Sequence, residues 1–157
     1  MKNRILFTGI VTLLFFGLNS SAQNYIKLSP CTSPSILQQA DSIKQFLAKQ
    51  GFIVVKEASV QMVSEYEMPV IVPLTEGNWY QFVFIGDASS KLYEVRMYDW
   101  NEKQVVYQKK YWGDVDSNVI SYSYTPKFSE FHMIKPLQVN NKKKDLCGYV
   151  MLLKKSN

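Results

Sequence analysis

At 157 residues the chain has the length of one domain, enough for a single modest core. Its formal charge is +5, or +3 once Lys2 and Arg4 are set aside, and the remaining lysines gather in short runs at residues 142–144 and 154–155. Such runs read as solvated loops and ends, which excludes the basic stripe with stacking aromatics that nucleic-acid binding needs.

Residues 1–22 read as an export signal: Lys2 and Arg4 form a basic start, residues 5–18 an apolar run, and Ser20-Ser21-Ala22 a small-residue cleavage site before Gln23. A membrane anchor is the alternative, but the apolar run is shorter than the roughly 18–20 residues a spanning helix needs. No cysteine stands at the cleavage point to accept a lipid, and no second apolar run of spanning length follows. The expectation is a soluble mature chain, residues 23–157, periplasmic or extracellular. Two cysteines remain in it, Cys31 and Cys147. In an exported chain they are expected to form a disulfide, which would clip the N-terminal segment to the last strand. A redox role has no support, since there is no Cys-x-x-Cys pair.

Residues 23–32 form a short leader that could add an edge strand through Tyr25, Ile26 and Leu28. A helix is predicted over about 34–50, with Ser33 as its cap, Pro34 in the first position and Gly51 as its stop. Ile36, Leu37, Ala40, Ile43, Phe46 and Leu47 make its apolar stripe. That stripe would cover a sheet or, alternatively, bind a partner. Residues 52–55 read as a strand, and 59–67 as a mixed stretch holding a second. Pro69 and Pro73 place the extended residues 68–74 at a sheet edge.

Residues 79–112 read as three consecutive antiparallel strands joined by short turns, because a parallel neighbour would need a crossover of a dozen residues or more. Trp79, Val83 and Ile85 alternate with Tyr80, Phe82 and Phe84. Both faces of that strand are apolar, as suits a central position. Tyr93, Val95 and Met97 alternate with Glu94 and Arg96, giving one dry face and one wet. Residues 99–102 form a turn led by Asp99. Strands are also predicted over 119–125, with Ile120, Tyr122 and Tyr124 on one face, over 131–139 and over 147–153. The sum is a mainly β, jelly-roll-like antiparallel β-sandwich of about eight strands with one N-terminal α-helix, in a single domain.

Chemistry is sparsely supplied. There is no Gly-x-Ser-x-Gly elbow and no glycine-rich phosphate loop. The single histidine, His132, lies in an aromatic strand and reads as packed. One histidine and two distant cysteines do not make a zinc set. Glu65 and Glu67 lie two apart and read as a solvated face rather than a glycosidase pair. Asp114, Asp116 and Asn118 are spaced like the opening of a calcium loop. Val119 and Thr125 stand where such a loop needs Gly and Glu, so an ion-free acidic turn is expected, with calcium the one cofactor left open.

Three tryptophans and ten tyrosines exceed what so small a core buries comfortably. Trp100 sits in a polar turn, where an indole can stack on a sugar or anchor a protein, with Trp112 and Tyr98 as companions. It could equally fold back over its own hairpin. The signal ending in Ser21-Ala22-Gln23 resembles those of secreted proteins of Bacteroidota. From about residue 78 to 139 the layout is similar to the bacterial pre-peptidase C-terminal type of β-sandwich, on Trp79-Tyr80-Gln81-Phe82, the strand over 92–99 with its Tyr98-Asp99 turn, and the stretch 122–126. That resemblance implies a non-catalytic jelly-roll module that accompanies secreted enzymes. The helix and the cysteine pair depart from it, so it assigns no site residue. The expected function is a non-catalytic exported module that engages a protein or cell-envelope component. A glycan-binding module using Trp100 and a small secreted hydrolase are the alternatives.

Overall fold

The computed structural model describes residues 30, 31 and 33–156. The predicted export signal and the leader strand at Tyr25, Ile26 and Leu28 lie outside the described residues. In chain order, α1 (Pro34–Lys49) is followed by β1 (Phe52–Val63), β2 (Val70–Leu74), β3 (Tyr80–Gly86) and β4 (Leu92–Tyr98). Then come β5 (Gln104–Tyr111), β6 (Val119–Tyr124), β7 (Glu130–Val139) and β8 (Asp145–Lys155). The strands form two four-stranded antiparallel sheets, β1-β8-β3-β6 (sheet A) and β2-β7-β4-β5 (sheet B). This is the jelly-roll order of the expected eight-stranded sandwich.

One expectation is overturned within it. β3 and β4 do not pair, because β3 lies between β8 and β6 while β4 lies between β7 and β5. The short loop between them carries the chain from one sheet to the other, so the predicted three-stranded meander is one strand plus a hairpin. The crossing is held by buried polar groups. The Gln138 side-chain carbonyl accepts from the Asp87 amide (2.9 Å) and the Ser90 hydroxyl (3.1 Å), and its amide donates to the Cys147 carbonyl (2.9 Å). The Tyr93 hydroxyl donates to the carbonyls of Asp87 and Ser90. Gly86 lets the Tyr93 ring pack directly on the backbone, since a Cβ there would stand 2.7 Å from that ring.

The strand alternation explains the layers. Tyr80, Phe82 and Phe84 of β3 enter the core between the sheets with Val60, Val72, Tyr93, Val95, Met97, Ile120, Ile134, Val150 and Leu152. Val83 and Ile85 point the other way and meet α1 through Ile36, Ala40 and Leu47, joined by Phe52, Tyr149, Met151 and Leu153. Both faces of β3 are therefore covered, which its unbroken apolar run requires. The helix covers less of itself than its stripe suggests: Phe46 is 61% exposed and Leu37 is also at the surface. Ser33 is extended and its side chain makes no cap bond, so the helix starts on Pro34 alone. Gly51 ends it at φ +79°, a left-handed backbone that suits glycine.

Two further boundaries differ from expectation. Residues 52–63 form one long strand with an irregularity between Val54 and Lys56, not two strands. Glu65 lies in the turn that follows, at φ 72°. Cys31 and Cys147 form a disulfide, which ties the segment ahead of α1 to β8. The Ser59 hydroxyl also donates to the Cys31 carbonyl, securing the same segment to β1.

Candidate functional site

The outer face of sheet B has no helix on it among the described residues, and side chains from its four strands meet there. Because Val72, Tyr93, Val95, Met97 and Ile134 point into the core, their sequence neighbours point outward. Register then sets the rows: Ile71 beside Met133 and Tyr98, Lys135 beside Arg96 and Tyr107, Leu137 beside Glu94 and Lys109. At one end Pro73 pairs with Phe131, whose ring lies 6.2 Å from that of Trp100. Ile71, Trp100, Tyr107, Tyr111 and Phe131 are all exposed, making this a surface rich in large rings rather than a sealed layer.

A charge ladder runs through the rings. Glu94 accepts from Arg96 at 2.9 Å and from Lys109 at 3.1 Å, while Glu67 accepts from Arg96 at 3.0 Å and from Lys135 at 3.2 Å. Glu67 is therefore not the freely solvated carboxylate expected of it. Burial opposes the Arg96 charge, but the Glu94 and Glu67 carboxylates outweigh it and hold its pKa above the ordinary guanidinium value. Hydrogen bonding to Tyr111 and then to Glu94 does the same for the Lys109 ammonium. Each cation also lies over a ring: Lys109 at 5.1 Å from the Tyr111 centroid, Lys135 at 5.2 Å from Tyr98 and Arg96 at 5.8 Å from Tyr107. Within the ladder three cations meet two carboxylates, and its side chains hold one another in place.

Trp100 is 68% exposed and Trp112 is 69% exposed. The structure does not bring them together. Tyr98 pairs with Gln104 at the Trp100 end of the β4–β5 hairpin, and Leu92 pairs with Tyr111 at the Trp112 end, a separation of about 20 Å along the strands. Tyr98 lies with Trp100, under Lys135. Trp112 instead borders a cleft with Ser89, Lys91, Asn140 and Lys142. The Asp99 carboxylate accepts from the amides of Asn101 and Lys103 and so builds the turn that presents Trp100.

The other residues singled out by sequence have local partners. Asp114 accepts from the Tyr111 amide at 2.7 Å, and Asn118 exchanges bonds with Gln39 of α1. Asp116 takes a left-handed turn at φ 48°. His132 is buried between the sheets, its ring 3.2 Å from the Tyr124 hydroxyl and edge-on to that ring.

No protein-family model matches the chain, and no curated protein matches it. Among solved structures, similarity extends to one described as "CBM4 structure and function", with a TM-score of 0.40 and 10% identity over 67% of this chain and 79% of that one. It also extends to a glycosylation-associated protein (Gap123) complex from Streptococcus agalactiae, with a TM-score of 0.38 and 14% identity over 68% of this chain and 40% of that one. Likeness this distant has no bearing on what the chain binds.

Ile71, Arg96, Tyr107, Tyr111 and Phe131 belong to the open face and were not legible as a group. Each sits in a strand whose alternation is visible, but only cross-strand register places the five on one surface.

Proposed function

We propose that the chain is an exported, non-catalytic interaction module that engages a protein partner through the open face of sheet B. One observation carries this reading: exposed Trp100, Tyr107, Tyr111 and Phe131 share a sheet face with an arginine already held by two carboxylates. Trp, Tyr and Arg dominate the binding energy of protein interfaces. Charges that enter an interface already paired leave fewer unpaired groups to desolvate. The one cation in excess within the ladder favours a partner carboxylate at that point. A neutral glycan fits less well, since cations stand over Tyr98, Tyr107 and Tyr111 and Phe131 lies against Trp100. The disulfide supports an oxidising compartment, and no helix among the described residues is long and apolar enough to cross a membrane.

The test is site-specific photocrosslinking in the native cell envelope, with the crosslinker at Tyr107 or, for comparison, at Leu37 on α1. A single stoichiometric protein captured only from position 107, and weakened about tenfold or more by Trp100→Ala, is the expected outcome. Equal capture from both positions would overturn the assignment of the face. Retention on polysaccharide alone, lost with Trp100→Ala, would replace the reading with glycan binding.

A further inference from the structure

Away from the open face, the sandwich has an apolar opening along its β1/β2 edge. A cavity of about 150 Å³ lies there between the two sheets, walled mainly by Ala58, Val60, Val70, Val72, Val150 and Leu152, with Phe82 behind them. β2 spans only five residues against the twelve of β1, so sheet B does not close over this edge. Its walls offer water few of the two to four polar partners it needs, and a volume of about 150 Å³ is enough to take benzene. Whatever occupies it must be apolar.

The mouth is not apolar. Lys56 reaches across from β1, and its ammonium donates to the Ile71 carbonyl on β2 at 3.3 Å. Among the described residues no carboxylate lies in ion-pair range of it, although all three cations of the open face are paired. Neighbouring Glu57 turns to the opposite side of sheet A, where it accepts from the Tyr149 hydroxyl at 2.6 Å and pairs with Lys44 at 3.2 Å. A cation without a carboxylate partner among the described residues therefore stands at the entrance of an apolar slot. We infer that this slot is a binding site for a short aliphatic carboxylate, its hydrocarbon tail between the sheets and its carboxylate on Lys56. The cavity sets the whole chain at about six carbons, a benzene-sized volume. The slot adjoins the protein-binding face at Ile71 of β2, but its test reads the buried valines and Lys56 rather than the open-face rings, so either reading can fail alone.

The experiment is a methyl-detected NMR titration of the disulfide-bonded protein with hexanoate, and with hexylamine as the matched cation. Hexanoate should give saturable shifts at the Val60, Val72 and Val150 methyls. Lys56→Met keeps the stem and removes the charge, and should weaken hexanoate about fivefold, the upper worth of an exposed ion pair. Hexylamine should bind the wild type more weakly than hexanoate does. Ala58→Leu fills the slot and should abolish the shifts without lowering the melting temperature. Should that variant fail to fold, the two ligands and Lys56→Met decide. Absence of saturable shifts, equal affinity for the two head groups, persistence of binding in folded Ala58→Leu, or retention only on phosphatidylglycerol vesicles would each overturn the inference.

Discussion

The two outer faces of the sandwich share a four-stranded antiparallel build, but only one is covered by a helix among the described residues. Sheet A presents Val83, Ile85, Tyr149, Met151 and Leu153 to α1, and these residues are buried. Sheet B presents Tyr98, Tyr107, Lys109, Arg96 and Phe131 to solvent, with no cover among the described residues. The difference lies in side-chain chemistry rather than backbone: aliphatic side chains on one face demand a lid, while rings paired with cations on the other tolerate water. A face that stays wet yet carries large rings is the one available to a partner.

Breaking the covered face should cost most. Cys31→Ser with Cys147→Ser releases the segment that the disulfide pins to β8, and the 116-residue separation predicts a loss of about 4–5 kcal/mol from the loop-closure term. Denaturant unfolding measures it, and a loss below about 1 kcal/mol would show that Ser59 and α1 hold the segment unaided. Next comes Ile85→Ala, which hollows the layer beneath α1 and should cost about 3 kcal/mol. Tyr107→Ala is its counterpart on the open face. It should change stability by less than about 0.5 kcal/mol while reducing partner capture; a destabilisation matching that of Ile85→Ala would mean the two faces do not differ as described.

Smaller effects sharpen the contrast. Glu94→Gln leaves Arg96 and Lys109 without their shared carboxylate. Solvent reaches both cations, so the loss should be smaller than either core change, and the difference from wild type should shrink in high salt. The smallest response is to acid. Burial works against the Asp87 charge, but the Ser89 hydroxyl and amide and Lys143 hold its carboxyl below the ordinary aspartate value. A depressed folded pKa adds stability above the unfolded value, and that stability is lost as pH falls through the folded one. Amide exchange at Ser89 should therefore accelerate below about pH 4, ahead of amides in β5. Simultaneous acceleration in both would assign the acid response to global unfolding instead.

Much of this architecture is written locally. The 3.6-residue stripe of α1, the period-two alternation of β4 and β6 and the doubly apolar β3 each name their element and which faces need cover. The prolines at 69 and 73 place β2 at an edge, where the structure has it. The lone cysteine pair foretold its bond. These features are legible because burial selects residue type position by position along a single element.

Only the tertiary structure decided that β3 and β4 belong to different sheets and that Phe131 joins Trp100. It also decided that Lys56 reaches across to β2 over an open slot. A five-residue connection satisfies a hairpin and a sheet-to-sheet crossing equally well, and nothing local separates them. Here the crossing is held by Gln138, a residue about 50 positions away whose side-chain carbonyl accepts from the turning chain. Side-chain alternation records that a strand has two faces. Which strand lies beside it, and in what register, depends on partners remote in sequence, and those partners assemble both the open face and the slot.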